Sequence, residues 1–257
     1  MFRALHFAGA VLVAGAATAV LTAGTNSLEE FSQTYSLSAR GRISLENRNG
    51  DVRILSWDRE EVKVEAVKRA PSRERLRDAR ILVDANGDAL SIRTQYSGNS
   101  DDPASVEYRI TVPRWASLEE VKLINGGLSI VGVAGEVNAT AVNGSIHAEQ
   151  LAGEARLSTV NGELEAAFHS LGGTHAIFLS SVNGPITLTL PPDARADLSA
   201  RNLSGGIQTE FGRPLRAATQ GGQRLHTTIK GGGTRIHLHN INGGISITGP
   251  AHRGHES

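Results

Sequence analysis

Residues 122–166 read KLINGGLSIVGVAGEVNATAVNGSIHAEQLAGEARLSTVNGELEA, and an Asn-Gly pair followed by Leu or Ile recurs in them every 18 residues. The second half of the chain has five such corners: Asn125-Gly126, Asn143-Gly144, Asn161-Gly162, Asn183-Gly184 and Asn242-Gly243. Ser204-Gly205 is a degenerate copy. A recurring period of this length is typical of proteins built from stacked structural repeats. The sequence therefore predicts a repeat domain over about residues 121–250.

The residues between the corners predict how the repeats stack. Apolar and polar residues alternate there, which is the pattern of half-buried strands. Superimposing repeats 18 residues apart gives several inward columns, among them Leu128 with Ile146 and Leu164, and Ile124 with Val142 and Val160. The corner asparagines would form a ladder that satisfies backbone groups of the turns, while each following glycine takes the strained dihedral angle. We therefore predict a single-stranded β-solenoid.

Residues 40–120 predict antiparallel strands ahead of the repeats. Asn49-Gly50 supplies the positive φ of a tight reversal between two short strands. Residues 84–88 indicate a hairpin turn, because Ala89 and Gln95 stand where a calcium loop needs Gly and Glu. The fold class is thus all-β, over one domain at 40–250. A β-meander or sandwich is the alternative, since hairpins would give the same alternation.

The composition excludes several classes of protein. The 257 residues include 26 basic and 26 acidic ones, which gives no net charge for binding nucleic acid. The chain has no cysteine, which excludes disulfide scaffolds, thiolate zinc sites and thiol nucleophiles.

The first residues have the pattern of a secretory signal peptide. Arg3 is followed by no charged residue until Glu29, and an Ala-, Val-, Leu- and Gly-rich run covers residues 8–24. We predict a signal peptide at 1–24, a flexible lead-in at 25–39 and a disordered tail at 251–257. An uncleaved anchor is the alternative, but this run is short and half Ala and Gly. The mature protein would have no integral membrane span and would lie in the periplasm or at the cell surface.

Three stretches carry a family pattern: TVNGELEAAF, SVNGPITLTLPPDARADLSARNLSGGIQTEF and GGGTRIHLHNINGGISI. Together with the strands before them they resemble the bacterial putative adhesin family, over about residues 41–250. The most specific part is residues 182–191 followed by residues 203–207. The resemblance implies an exported β-strand-repeat domain with a solenoid-like fold in the cell envelope, and it supplies no catalytic residues.

Few residues suggest chemistry. His237 and His239 have the best metal-like spacing, because residues i and i+2 of a strand face the same side. Arg235 shares that face and no carboxylate is near in sequence, so we predict neither a metal site nor a cofactor. Glu163 and Glu165 also share a face, and we interpret them as solvated charges and not as a glycosidase pair.

These patterns predict a non-enzymatic, exported cell-envelope or surface protein that acts as an adhesin-like binding or structural module. Its partner would be an unknown envelope protein or polymer, and not nucleic acid. Exposed terminal strands such as residues 245–247 would allow self-association. The alternatives are an envelope-stress sensory or scaffold module and, less favoured, an enzyme acting on polysaccharide.

Overall fold

The computed structural model describes residues 20–23, 26–97, 103–172, 175–212 and 222–249. The chain forms two large mixed β-sheets and one short helix in these residues, so the all-β prediction is confirmed. Most of the predicted signal peptide, and all of the predicted tail at 251–257, lie outside the described residues.

The strands are numbered in chain order, and each sheet runs from one edge to the other as follows. The first sheet contains β1 (Val20–Ala23), β2 (Asn26–Ser36), β5 (Glu61–Ala70), β8 (Ser105–Pro113), β4 (Val52–Trp57), β10 (Leu128–Val131), β12 (Ile146–Leu151), β14 (Leu164–Phe168), β16 (Ile186–Thr189), β21 (Ile245–Thr248) and β18 (Ile207–Thr209). The second contains β19 (Gln223–Ile229), β17 (Ala196–Ser204), β20 (Thr234–Asn242), β15 (Ala176–Asn183), β13 (Ala155–Asn161), β11 (Val137–Asn143), β9 (Ser117–Asn125), β3 (Arg42–Asn49), β7 (Ala89–Tyr96) and β6 (Ala79–Asn86). Helix α1 (Arg73–Asp78) is capped by the Ser72 hydroxyl, which accepts from the amide of Arg75, and it buries Leu76. Inward side chains of both sheets form one buried cluster.

Each repeat places one strand in each sheet. An Asn-Gly corner joins the two strands, so that β9 leads to β10, β11 to β12, β13 to β14 and β15 to β16. Like strands of successive repeats pair in parallel, with Asn143 opposite Asn125 and Ile146 opposite both Leu128 and Leu164. The predicted column at 128, 146 and 164 is therefore present, and its three side chains are buried.

The second predicted column is wrong. Ile124, Val142 and Val160 lie on the outer face of the second sheet, with Ile124 44% and Val142 36% exposed, while Leu123 and Ala141 are buried instead. The Asn-Gly corner does not preserve the alternation of strand side chains. Knowing which residues point inward in the strand after a corner therefore does not predict which residues point inward in the strand before it.

The last repeats are stacked out of chain order. Strands β20 and β21 lie between β15–β16 on one side and β17–β18 on the other. Residues 245–247, which we expected at an exposed edge, are therefore paired on both sides. At this end the first sheet stops at the three-residue β18, and in the second sheet β19 runs antiparallel along β17. Self-association through terminal strands stays a prediction, and it now concerns β18 and β19.

Strands β3 and β4 extend the repeat stack and do not form a hairpin. Asn49 lies opposite Asn125, and Val52 lies opposite Leu128. Asn49-Gly50 is thus a corner between the two sheets, and the tight reversal predicted there is wrong. The reason is that a positive φ after Asn suits a hairpin or a corner equally, and pairing with a segment 76 residues away decides between them.

We predicted a flexible lead-in at 25–39. This prediction is wrong for Asn26–Ser36, because these residues form strand β2. This strand pairs antiparallel with β5, and half-buried Phe31 and Tyr35 pack against the core. Two aromatic residues among polar neighbours gave too weak a periodicity to predict the strand. The antiparallel strands predicted in residues 40–120 are present as the pair β5–β8 and the hairpin β6–β7.

Candidate functional site

The corner asparagines form one hydrogen-bonded ladder along the edge where the chain passes between the sheets. Each side-chain amide donates to the side-chain oxygen of the next asparagine at 2.8–2.9 Å, in the order Asn242, Asn183, Asn161, Asn143, Asn125 and Asn49. The ladder therefore spans both the repeats and the strands before them. It holds neighbouring repeats in register, so that side chains on the outer faces form straight rows.

The corner glycines allow the repeats to approach this closely. Gly126 has φ +143°, and a Cβ atom there would lie 2.4 Å from the carbonyl oxygen of Gly50. A Cβ atom on Gly144 would lie 1.9 Å from the carbonyl oxygen of Gly126. Gly162, Gly184 and Gly243 stack on the preceding corner in the same way. Any side chain at these positions would meet backbone that cannot rotate away.

Sequence reasoning missed a second set of asparagines inside the corners. Asn47, Asn202 and Asn240 are at most 1% exposed, and each lies two residues before a corner. The Asn240 amide donates to the carbonyl oxygens of Gly184 and Gly244 at 3.0 and 3.3 Å. The signal was present as Asn-x-Asn-Gly or Asn-x-Ser-Gly at residues 47–50, 202–205 and 240–243.

The two candidate metal ligands project from β20 on the outer face of the second sheet. Both His237 and His239 are exposed. The His237 ring stacks on Phe178, with centroids 5.1 Å apart, and His239 lies opposite Arg201. Among the described residues, no three His, Asp or Glu side chains are placed to share a metal ion. The structure thus puts these histidines beside an aromatic ring and a cation.

A cleft of about 670 Å³ opens on the outer face of the first sheet, across β2, β5, β8, β4, β10 and β12. One row of side chains crosses it on successive strands: Ser32, Glu65, Arg109, Arg53, Ser129 and His147. Adjacent members are separated by about 4.8 Å, the distance between paired strands. Arg53 and Arg109 lie opposite each other near the middle of the row.

Three of the four carboxylates that line the cleft are already engaged. Glu65 accepts from the Lys63 ammonium at 2.6 Å, and Glu107 pairs with Arg69 at 2.8 Å. The Asp51 carboxylate accepts a hydrogen bond from the backbone amide of Gly127 at 2.8 Å. These contacts offset part of the negative charge that would otherwise neutralise the arginines of the cleft.

The two arginines are cations of the cleft without a carboxylate partner among the residues described above. Within the described ranges, neither Arg53 nor Arg109 forms an ion pair, and both side chains are exposed. The remaining carboxylate, Glu30, lies on β2, two strands from Arg109. Two adjacent guanidinium groups on a concave surface can bind a carboxylate or phosphate through paired hydrogen bonds. No motif in the sequence marked this pair, because Arg53 and Arg109 belong to strands far apart in the chain.

No protein-family model and no curated protein sequence matches the chain. A putative cell adhesion protein from Clostridium sporogenes is similar in structure, with a TM-score of 0.51 and 12% identity over 85% of this chain and 99% of that chain. The two chains share a fold. Putative adhesins from Bacteroides fragilis and Parabacteroides merdae match at TM-scores of 0.38 and 0.33, with 14% and 10% identity, over 86% and 88% of this chain and 97% of each of those chains. The resemblance drawn from the repeats is confirmed at the level of fold. In the described part of the chain, no helix has the length and apolar character needed to cross a membrane.

Proposed function

We propose that this protein is an exported, adhesin-like and non-enzymatic binding module of the bacterial cell envelope. The signal-peptide pattern at 1–24 supports export, and the fold shared with a putative cell adhesion protein supports a binding role. We assign the repeats to the β-solenoid class. Parallel pairing of successive repeats in both sheets and the asparagine ladder along one edge support that assignment.

The binding site in this proposal is the cleft on the first sheet, and its ligand is an acidic group on the envelope partner. The observation that supports this site is the adjacent pair Arg53 and Arg109. Neither arginine forms an ion pair among the described residues, whereas most nearby carboxylates have a partner. A planar guanidinium presents two parallel donors to a carboxylate or phosphate. Ser129 and His147 continue the row and add polar groups beside the arginines.

The test compares two double variants that remove the same charge. Arg53→Gln/Arg109→Gln empties the cleft of its arginines, and Arg73→Gln/Arg77→Gln removes two exposed arginines from helix α1. The probes are trigalacturonate, which carries carboxylates, and glycerol 3-phosphate, with binding followed by NMR titration. We expect the wild type to bind at least one probe and the cleft variant to bind it roughly tenfold more weakly. The helix variant should match the wild type.

Two results would contradict the proposal. Equal affinity of the wild type and the cleft variant, or no binding of either probe, would remove the cleft as an acidic-group site. Recovery of the tagged chain in the cytoplasmic fraction of producing cells would remove export.

A further inference from the structure

The outer face of the second sheet carries an excess of cationic side chains at its C-terminal end. Seven exposed side chains form this surface, which we call the cationic face: Arg156, Arg201, Arg224, Arg235, His226, His237 and His239. They project from β13, β20, β17 and β19. The one outward carboxylate on these described strands is Asp197, which accepts from the Thr228 hydroxyl at 2.9 Å. None of the four arginines forms an ion pair within the part of the chain that the structure describes.

Strand pairing arranges six of these side chains in two rows, and the seventh, Arg235, lies opposite Asp197. His239, Arg201 and Arg224 lie opposite one another on β20, β17 and β19, at steps of about 4.8 Å. The neighbouring row begins at Arg156 and ends at His226, four strands and about 19 Å away. The insertion of β20 between β15 and β17 brings the two histidine-bearing positions of that strand into these rows.

Phe178 lies inside the second row but is not available for stacking by a ligand. The Arg156 guanidinium lies 4.6 Å from the ring centroid, and the His237 ring is stacked on it from the opposite neighbouring strand. The aromatic ring therefore holds an arginine and a histidine side chain in place on its two sides. A single-stranded nucleic acid needs open aromatic faces for its bases, and this surface offers none.

We propose that the cationic face binds an acidic polysaccharide that lies across the strands. Each exposed guanidinium contact is weak by itself, so binding requires several anionic groups linked in one molecule. An extended polymer with a carboxylate or sulfate on successive units can meet arginines that reach from Arg156 on β13 to Arg224 on β19, four strands and about 19 Å apart. The proposal concerns a different sheet from the cleft, and its failure would leave the cleft proposal standing.

A lipid bilayer fits this surface less well than a polymer. Shorter aliphatic side chains, among them Ile241 and half-exposed Leu203, lie between the cations and the corner. Arginine side chains are longer than these, so a flat membrane would meet the guanidinium groups before the aliphatic row could insert. Membrane binding of a surface without a lipid anchor depends on buried apolar area as well as on charge.

The test again compares variants that remove equal charge. Arg201→Gln/Arg224→Gln/Arg235→Gln changes the cationic face, and Arg73→Gln/Arg77→Gln/Arg80→Gln changes exposed arginines in and next to helix α1. The probes are immobilised polygalacturonate and dextran sulfate, with uncharged dextran as the blank and binding followed by biolayer interferometry. We expect at least one acidic polymer to bind the wild type, with affinity that falls as salt rises. The face variant should lose roughly tenfold or more in affinity, and the helix variant should stay within about twofold.

Carboxylate and sulfate polymers distinguish the two sources of negative charge. All substituted side chains are exposed, and thermal unfolding of each variant checks that it is folded. Equal losses in both variants would show a net-charge effect and overturn the proposal, as would absence of binding to both polymers. Tighter binding to an oligothymidylate or to phosphatidylglycerol vesicles than to either polysaccharide would overturn the ligand class.

Discussion

The strands before Ser117 and the repeats after it share one core but depend on different interactions. The repeats add like strand to like strand in parallel, and their corners stack backbone on backbone. The earlier strands include antiparallel pairs, and they bury polar side chains that have specific partners. Lys68, for example, is only 6% exposed and donates to Glu29 at 2.7 Å and to the carbonyl oxygen of Ala79 at 3.1 Å.

This difference shows two ways to stabilise one β-fold with few aromatic residues. In the repeats the stability rests on positions where nothing larger than glycine fits. The N-terminal strands add further polar contacts, such as the Tyr108 hydroxyl against the Thr94 hydroxyl at 2.7 Å. Substitutions of stacked corner glycines should therefore be the most harmful, and the N-terminal strands should in addition be sensitive at Lys68 and Tyr108.

The largest expected effect is at a repeat corner. Gly126→Ala combines φ +143° with a backbone oxygen 2.4 Å from the new Cβ atom, and we expect a loss of about 3 kcal/mol in the free energy of unfolding. At Gly127 the nearest atom would be 3.6 Å away, so Gly127→Ala should cost less than about 0.5 kcal/mol. Gly87, in the β6–β7 hairpin, has φ +59° and open space around it, and Gly87→Ala should cost about 1 kcal/mol. Urea denaturation measures all three, and equal losses at 126 and 127 would contradict the close-approach argument.

A somewhat smaller effect is expected at the buried lysine of β5. Lys68→Met leaves Glu29 without its cation and a buried carbonyl without its donor, and it should cost about 2 kcal/mol because Glu29 keeps some solvent contact. Lys63→Met on the same strand breaks the exposed pair with Glu65 and should cost less than about 1 kcal/mol. Urea denaturation of both variants measures the two losses in the free energy of unfolding. A Lys63 effect as large as that at Lys68 would show that burial is not what distinguishes them.

The smallest effect is a loss of stability in alkali that arises in the N-terminal strands. The chain's three tyrosines all lie there, and burial raises the pKa of Tyr108 above its usual range near 10. The unfolded chain then loses this proton first, so the stability contribution is complete below about pH 10 and falls above it, by up to about 1.4 kcal/mol per pH unit. Tyr108→Phe should flatten the decline of stability between about pH 10 and 11.5, whereas Tyr35→Phe, at a half-buried ring, should flatten it less. An unchanged slope in the Tyr108 variant would exclude this group as the cause.

Prediction from the sequence succeeded where the signal was local and repeated. The period of 18 residues, the inward position of Leu128 and the all-β class follow from alternation and corner spacing alone. Prediction failed at Ile124 and at Asn49-Gly50, because both depend on how the chain turns at a corner. A corner and a hairpin both use the positive φ that a glycine after Asn supplies, and the partner strand that distinguishes them lies 76 residues away.

The candidate binding surfaces could not be predicted in the same way. Arg53 and Arg109 meet only because β4 pairs with β8, and the cationic face is assembled only because β20 inserts between β15 and β17. The sequence by itself determined the repeat, its glycine corners and the inward column of Leu128, since those depend on neighbours within one period. The tertiary structure alone decided which charges stand side by side, because strand pairing joins residues whose distance along the chain carries no information about their distance in space.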